Sequence, residues 1–565
     1  MALVSLVLDF GFDLSPAVRG VLHALDGVLV ALLLVDAFSR FAGASDRRAW
    51  LRTHWIEALI LPFLAVEVVT LTAVSGGTAP LRIYVIAVQT YLILRLLLDA
   101  ARANERLLAR INPAFIPLGG FLLLIAAGTA LLLVPAARAP GAPALTFMDA
   151  LFTSTSASCV TGLSVRDVGS ELSFRGQLVL LGLIQLGGLG PVTLALFLTF
   201  LEVRRLRVRE ATLLRDLMSA PMLGDVGLFL RRTVAITLSI ELAGAGVLWL
   251  GREAGGEGPL QRAWWAVFHS VSAFCNAGFG LHSNSLSGQV GSPVVCLTVA
   301  ALVVAGGLGF PVLIEVLRAA GSLFRAPLRP RGLLAADSGP PFRFSLQTKL
   351  VLAATGVLLV GGAVLFYAAE RNSALAPLDF RDALVASVFQ SAMPRTAGFN
   401  SLDIGRFAMP TLLLFIVLMA IGAAPASTGG GIKVTAVAVQ WLTALAVIRN
   451  RPVAEAFHRR VPQGAVQAAV TIAFLYGIVA VLVVAGLAFT QRGIPFLDVL
   501  FESISALSTV GLSTGVTPKF DSTGRLILCV AMLAGRIGPL AVVWTVVFRS
   551  APLRYEYPEE PVTVS

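Results

Sequence analysis

Lysine is nearly missing from this 565-residue chain: Lys349, Lys433 and Lys519 are the only three, and the other basic residues are arginine. Charge of any kind is scarce. Charged residues make up 13% of the chain, against roughly a quarter in an average soluble domain. With 57% hydrophobic residues and a mean hydropathy of +0.85, this excludes a soluble enzyme or a disordered scaffold and puts the chain in a bilayer. The four cysteines, Cys159, Cys275, Cys296 and Cys529, are scattered without CxxC spacing, so neither a zinc site nor a disulfide framework is implied. No HExxH and no Ser paired with Lys or His occurs within the apolar spans, which removes the groups an intramembrane enzyme needs; Asp26, Asp36 and Glu67 are the candidates left for proton chemistry. No Walker motif and no GxGxxG between strand and helix is present, so nucleotide sensing is not expected on this chain, nor is an organic cofactor. The first residues carry Asp9 and Asp13 and no basic start, unlike a cleaved signal peptide.

What is present is a series of apolar runs long enough to cross about 30 Å as helices. They fall near 20–40, 55–75, 80–100, 114–135, 176–200, 233–250, 292–316, 347–369, 408–447, 464–489 and 524–548. The 408–447 run is too long for one crossing and is broken at Gly422–Lys433 by Gly, Ala, Pro, Ser and Thr, residues a continuous helix disfavours. Charge sorts the loops. Segments 201–233, 317–349 and 448–463 hold 17 Arg/Lys against 6 Asp/Glu, whereas 136–176, 251–264, 370–407, 491–502 and 519–525 hold 12 of each. The biased loops are therefore cytoplasmic. That rule accounts for the net charge of +11, and no nucleic-acid partner is expected. Arg40–Arg52 is then cytoplasmic too, which puts the N-terminus outside, gives three crossings before about residue 110 and leaves the C-terminus cytoplasmic. Arg95, Arg102, Arg106 and Arg110 follow at near-helical spacing and read as a cytoplasmic, lipid-facing cluster.

Between crossings lie apolar segments too short to span. Phe147–Gly162, Ala263–Gly278 and Phe496–Gly511 align without a gap and share Phe (152, 268, 501), Ser (154, 270, 503), Ser (156, 272, 505), Ala (157, 273, 506) and the final glycine. A fourth copy, Phe380–Gly398, is about three residues longer. The end glycines 162, 278, 398 and 511 make a fourfold internal repeat. Each copy reads crossing, short re-entrant segment, crossing, so all four have one orientation, as parallel repeats about a membrane-normal axis do. The fold class expected is an all-α polytopic membrane protein. Four tandem helix–re-entrant pore loop–helix repeats stand with fourfold pseudosymmetry around a central pore, after three N-terminal transmembrane helices. The units are an extension at 1–110, repeats at 111–220, 221–335, 336–460 (with the loop 422–433) and 461–550, and a cytoplasmic tail at 551–565.

Non-helical backbone at membrane depth is tolerated only where it is buried in protein or lines water. The segments ending each repeat, Ser158–Gly162, Cys275–Gly278, Arg395–Gly398 and Ser508–Gly511, offer successive carbonyls, and glycine permits the positive φ that turns neighbouring carbonyls to one axis. A ring of carbonyl dipoles replaces the hydration shell of a monovalent cation without a carboxylate, and the preceding short helix aims its negative end at the cavity. Lys433 and Arg536 are ionisable residues in otherwise apolar surroundings. A fixed positive charge near such a filter raises the barrier to cation flux, so Arg536 and Lys433 are candidates for tuning conduction. His269 reads as a packing residue, Cys159 and Cys275 as small residues behind the filter, and Asp149, Asp382 and Asp498 as acids at helix starts.

The filter segments and the inner-helix marks Gln185-Leu-Gly-Gly-Leu-Gly-Pro191, Gly306-Gly-Leu-Gly-Phe-Pro311, Ser427-Thr-Gly-Gly-Gly-Ile-Lys433 and Gly535-Arg-Ile-Gly-Pro-Leu540 resemble the Trk/Ktr/HKT superfamily of potassium-translocating membrane subunits, most closely the bacterial KtrB/TrkH type, over roughly 110–550. The resemblance implies uptake of potassium, the transported ion, across the bacterial inner membrane. It maps the ion-coordinating carbonyls onto Val160, Thr161 and Gly162; Asn276, Ala277 and Gly278; Thr396, Ala397 and Gly398; and Thr509, Val510 and Gly511. It makes the break an intramembrane gating loop, with Ser427, Thr428, Gly429, Gly430, Gly431, Lys433 and Arg536 at the gate. A serine at the first filter glycine goes with sodium transport in plant relatives, so Gly162 implies potassium preference. Met393-Pro394 before the third segment departs from the pattern. The family pairs such subunits as homodimers with a cytosolic ring of RCK-type nucleotide-binding proteins. A sodium/potassium-coupled or proton-coupled secondary cation transporter on the same scaffold is the rival reading, and a structural subunit without flux is a third.

Overall fold

A computed structural model of the chain describes residues 115–190, 226–252, 258–283, 285–325 and 343–538, with single positions between 18 and 43. The three N-terminal crossings, the arginines at 95–110, Asp26, Asp36, Glu67, the basic segment 201–225, Pro191, Pro539 and Leu540, and the tail fall outside the described residues. Within them the fold is helical, apart from a small antiparallel pairing of Glu455–Ala456 (β1) with Arg459–Arg460 (β2) and isolated bridges. The helices are α1 (Phe115–Leu133), α2 (Phe147–Ser158), α3 (Phe174–Leu189), α4 (Val226–Gly251), α5 (Pro259–Phe274), α6 (Pro293–Gly307), α7 (Phe310–Arg325), α8 (Leu346–Glu370), α9 (Phe380–Ala392), α10 (Met409–Ala420), α11 (Val434–Ile448), α12 (Gln463–Thr490), α13 (Phe496–Leu507) and α14 (Ser522–Ile537). Four times a long apolar helix (α1, α4, α8, α12) leads to a short one (α2, α5, α9, α13) and then to another apolar helix.

Arg231–Gly251 within α4, all of α8 and all of α12 are long and apolar enough to cross a membrane, and α1, α3, α10 and α11 contain shorter apolar helices. At 1.5 Å per residue a helix of 25 residues reaches about 37 Å. Apolar side chains face outward: Val357, Val360, Phe474, Val481 and Phe489 are exposed, while Ser156, Ser272, Ser505, Thr396 and Thr509 are fully buried. Large apolar side chains exposed along long helices, beside buried hydroxyls, suit a chain whose outer surface meets lipid. The chain is an all-α, multi-pass membrane protein.

The sequence predicts one crossing over 292–316, and here the structure differs. α6 and α7 meet at a bend of 112°. Gly309 takes φ +84, and a Cβ there would sit 2.5 Å from the Pro425 carbonyl oxygen. Phe310 N donates to Ala426 O at 3.0 Å, so the freed backbone is satisfied by the loop that interrupts α10 and α11. α3 and α14 likewise end on left-handed glycines, Gly190 (φ +81) and Gly538 (φ +94).

The short helices share two devices, the first in all four copies and the second in three. The phenylalanine of each (Phe152, Phe268, Phe389, Phe501) is fully buried. In three copies a serine hydroxyl donates to a carbonyl of the preceding long helix: Ser154 to Ile125 at 2.8 Å, Ser270 to Glu241 at 2.6 Å and Ser391 to Leu359 at 2.7 Å. Gly128, Gly244 and Gly362 lie opposite these serines, where a Cβ would overlap the hydroxyl. Small residues bring membrane helices into this range.

Candidate functional site

After α2, α5 and α13 the chain passes one αR cap and then enters the left-handed region; after α9 it does so three residues past the cap Met393. Val160 (φ 56), Asn276 (φ 59), Thr396 (φ 68) and Thr509 (φ 52) are the residues that do so, and each lies two positions before a glycine. β-branched residues occupy this region only under constraint. The constraint is a backbone bond back to the helix: Thr161 N to Ser156 O at 2.8 Å, Ala277 N to Ser272 O at 2.7 Å, Ala397 N to Met393 O at 3.1 Å and Val510 N to Ser505 O at 2.8 Å. Gly162 N and Gly511 N donate to the Ser156 and Ser505 hydroxyls, both at 3.1 Å. The third copy has Ala392 at that position and no such bond; its chain turns through Met393-Pro394 instead.

The glycines then follow in the left-handed region, Gly162 at φ +97, Gly278 at +69, Gly398 at +73 and Gly511 at +90. Their neighbours form a closed cycle. A Cβ on Gly162 would meet the carbonyl oxygen of Ala277, one on Gly278 that of Ala397, one on Gly398 that of Val510 and one on Gly511 that of Thr161, in every case within 2.8 Å. Each glycine thus abuts the residue preceding the next glycine, and the fourth returns to the first. Val160, Thr161, Asn276, Ala277, Thr396, Ala397, Thr509 and Val510 are fully buried in this ring, and the Asn276 amide lies 3.2 Å from the Thr396 hydroxyl.

Inner-helix glycines let the backbone approach the ring. A Cβ on Gly187, Gly306 or Gly535 would overlap the carbonyl of Ser158, Phe274 or Leu507, the last turns of α2, α5 and α13. The loop between α10 and α11 packs against the ring as well. Cβ atoms on Gly429 and Gly430 would overlap the hydroxyls of Thr396 and Thr509. Thr428 N donates to Gly306 O at 3.3 Å, Ala424 N to Gly307 O at 2.9 Å, and the Thr428 hydroxyl to Phe274 O at 3.2 Å. Ser427 Oγ donates to Ala424 O, Gly431 takes φ +70, and Lys433 Nζ donates to Gly429 O at 2.8 Å. Arg536 donates to the carbonyls of Thr428 on the loop and of Gly187 and Gly188 on α3. The structure therefore brings together all the residues the sequence nominates for filter and gate.

It also holds residues the sequence does not nominate. Glu241, buried on α4, accepts from Gln185 Nε2 at 3.3 Å and from Cys275 Sγ at 3.7 Å; a lone acid in the 233–250 run is its signal. Glu502 accepts from Ser513, Thr514 N and Thr517 beyond the fourth glycine. Arg395, at the foot of the third segment, is 5% exposed. His269 Nδ1 lies 2.8 Å from Trp265 O, a packing arrangement. No cluster of His, Cys, Asp or Glu suited to a metal occurs among the described residues.

Comparison with known proteins gives concordant results. The family described as TrkH, cation transport protein, matches residues 95–552. The chain is 36% identical over 424 residues to Ktr system potassium uptake protein B of Vibrio alginolyticus, covering 74% of this chain and 88% of that protein. It is 35% identical over 438 residues to the protein of the same name from Bacillus subtilis, covering 77% and 93%. It is 31% identical over 470 residues to potassium/sodium uptake protein NtpJ of Enterococcus hirae, covering 81% and 98%. Among solved structures, the potassium transporter TrkH from Vibrio parahaemolyticus matches with a TM-score of 0.62 at 18% identity over 93% of this chain and 97% of that one, a likeness of fold.

Proposed function

The chain belongs to the TrkH family of cation transport proteins, and on that premise we propose that it takes up potassium across the bacterial cytoplasmic membrane through a pore on the axis of its four glycine segments. The observation that carries this reading is the closed cycle of glycines and carbonyls at 162, 278, 398 and 511. Left-handed backbone at all four supports a filter in which Val160–Gly162, Asn276–Gly278, Thr396–Gly398 and Thr509–Gly511 supply carbonyl oxygens to a dehydrated K+. On this reading the chain is four re-entrant repeats with fourfold pseudosymmetry, divided at 111–220, 221–335, 336–460 and 461–550; the recurring order of long, short and apolar helix supports it. The loop 422–433 is the gate, supported by its packing against Thr396 and Thr509 and by the tethers from Lys433 and Arg536. The N-terminus lies outside and the C-terminus in the cytoplasm, with three crossings before residue 110. A homodimer and a cytosolic RCK-type nucleotide-binding ring are the partners.

The test is rescue of a potassium-uptake-deficient bacterium at limiting K+. Wild type restores growth; Gly162→Ser does not, because its Cβ would overlap the Ala277 carbonyl. No rescue by wild type present in the membrane overturns the reading. The Enterococcus hirae relative, named for potassium and sodium, favours a second reading, a sodium- or proton-coupled carrier on the same scaffold. Liposome flux at imposed gradients separates them: a gated pore follows the K+ gradient alone, and a coupled carrier requires the second ion.

A further inference from the structure

Arg395 stands three residues before Gly398, and the residues three before the other glycines are Cys159, Cys275 and Ser508, none of them a cation. Its backbone N donates to Ala392 O at 3.2 Å, so it sits in the turn off the C-terminus of α9, where partial negative charge gathers. The side chain runs outward to α8: Nη2 donates to Thr355 Oγ1 at 3.2 Å, and Nε has no partner. Among the described residues no carboxylate pairs with it, in contrast to Arg166 and Arg525, which share Asp149. Arg536 and Lys433 differ as well, since both donate to backbone carbonyls. Burying a cation this way is costly in a membrane protein. Counted back from the glycine, the other three copies carry neutral residues that cap their helices, whereas Arg395 lies two residues past the cap Met393.

We propose that Arg395 is a selectivity-determining charge, an unpaired guanidinium behind the third filter segment that weakens cation binding in the ring and weakens divalent binding most. The proposal rests on the reading of the ring as the potassium path. Three residues of chain span at most about 11 Å, and a separation of about a dozen ångströms between guanidinium and ring ion is taken as the working distance. Through a medium of effective dielectric about 20 it lowers monovalent affinity about tenfold. Coulomb energy scales with the charge of the ion, so for a divalent ion the same charge acts twice over, about a hundredfold. It also offsets the negative end of α9, leaving one quadrant of the ring less attractive to cations than the other three.

The experiment measures K+ flux and Ba2+ block of the full chain in proteoliposomes. Arg395→Gln is expected to lower the K+ half-saturation concentration about tenfold and the half-blocking Ba2+ concentration about a hundredfold. The two logarithmic shifts stand in a ratio near two, which a change of shape alone would not produce. Thr355→Asp leaves the arginine in place and gives it a carboxylate, so it shifts both constants in the same direction and carries the test if Arg395→Gln does not fold. Arg395→Lys keeps the charge and stays within about twofold of wild type for both ions. Unchanged constants in conducting Arg395→Gln or Thr355→Asp, or equal shifts for the two ions, overturn the assignment while the potassium reading stands. Absence of saturable K+ flux in wild type overturns the potassium reading and this assignment with it.

Discussion

Asp149 at the start of α2 and Arg525 at the start of α14 pair at 2.7 Å although 376 positions separate them in the chain. Asp149 also takes Arg166 at 3.0 Å and closes a capping box with Thr146. The pair joins the first helical unit to the fourth, the one junction in the cycle that chain continuity does not supply. Asp149 is buried and both arginines are part-exposed. Asp149→Asn is therefore expected to cost about 2 kcal/mol, less than a fully buried pair, read as a lower Tm in detergent. Glu171→Gln, whose contact with Arg166 is longer at 3.6 Å, should stay within about 0.5 kcal/mol of wild type.

Arg536 links three pieces of backbone: α14, Thr428 on the interrupting loop, and Gly187 and Gly188 at the end of α3. Arg536→Ala removes the tether and a fixed cation together, and both changes lower the barrier to an entering cation. Potassium flux in proteoliposomes should rise, by about tenfold if the charge alone acts at close range. Unchanged or lower flux at equal reconstitution counts against the gate.

The four glycines are legible in the sequence because the repeat puts them in register, and the 422–433 break is legible because Pro, Ser and three glycines interrupt an apolar run. The bend after α6 is not. Gly306-Gly-Leu-Gly-Phe-Pro311 keeps the run apolar, and hydropathy registers composition, not the direction of the backbone. Only the φ of Gly309 and the bond from Phe310 N to Ala426 O reveal the turn. Asp149 reads from sequence as a helix-start acid, which it is; its pairing with Arg525 depends on the ring closing, a tertiary fact with no local trace. Arg395 reads as the first residue of the third glycine segment, valued for its backbone; nothing in the string records that its side chain is buried against Thr355.

Close approach makes a sharp prediction at Gly306. A Cβ there would overlap Phe274 O and lie 2.8 Å from Asn276 Oδ1 and 2.9 Å from Thr428 Oγ1, so Gly306→Ala must push α6 away from both the ring and the loop. The expected result is a loss of about 1–3 kcal/mol, as for other overpacked sites, with uptake lost at equal membrane expression. Gly246→Ala is the control. It lies within α4 with nothing within 4 Å of the added Cβ, and alanine there should be neutral or gain up to about 1 kcal/mol.

Beyond the fourth glycine the backbone is held by Glu502, fully buried on α13. It accepts from Ser513 Oγ, from Thr514 N at 3.2 Å and from Thr517 Oγ1 at 2.8 Å. In the third copy Gln390 holds the corresponding place but donates instead, Nε2 to Ser401 Oγ at 3.4 Å. Glu502→Ala removes the acceptor of the buried Thr517 hydroxyl and of the part-buried Ser513 hydroxyl and Thr514 amide, at a cost of about 2 kcal/mol. Because those donors lie immediately past Gly511, the loosened segment should admit Na+ alongside K+ in a competition flux assay. Glu502→Gln keeps the shape and one acceptor oxygen and should recover part of both Tm and selectivity. If Glu502→Ala melts early yet discriminates K+ from Na+ as wild type does, the carboxylate supports the fold but does not hold the filter.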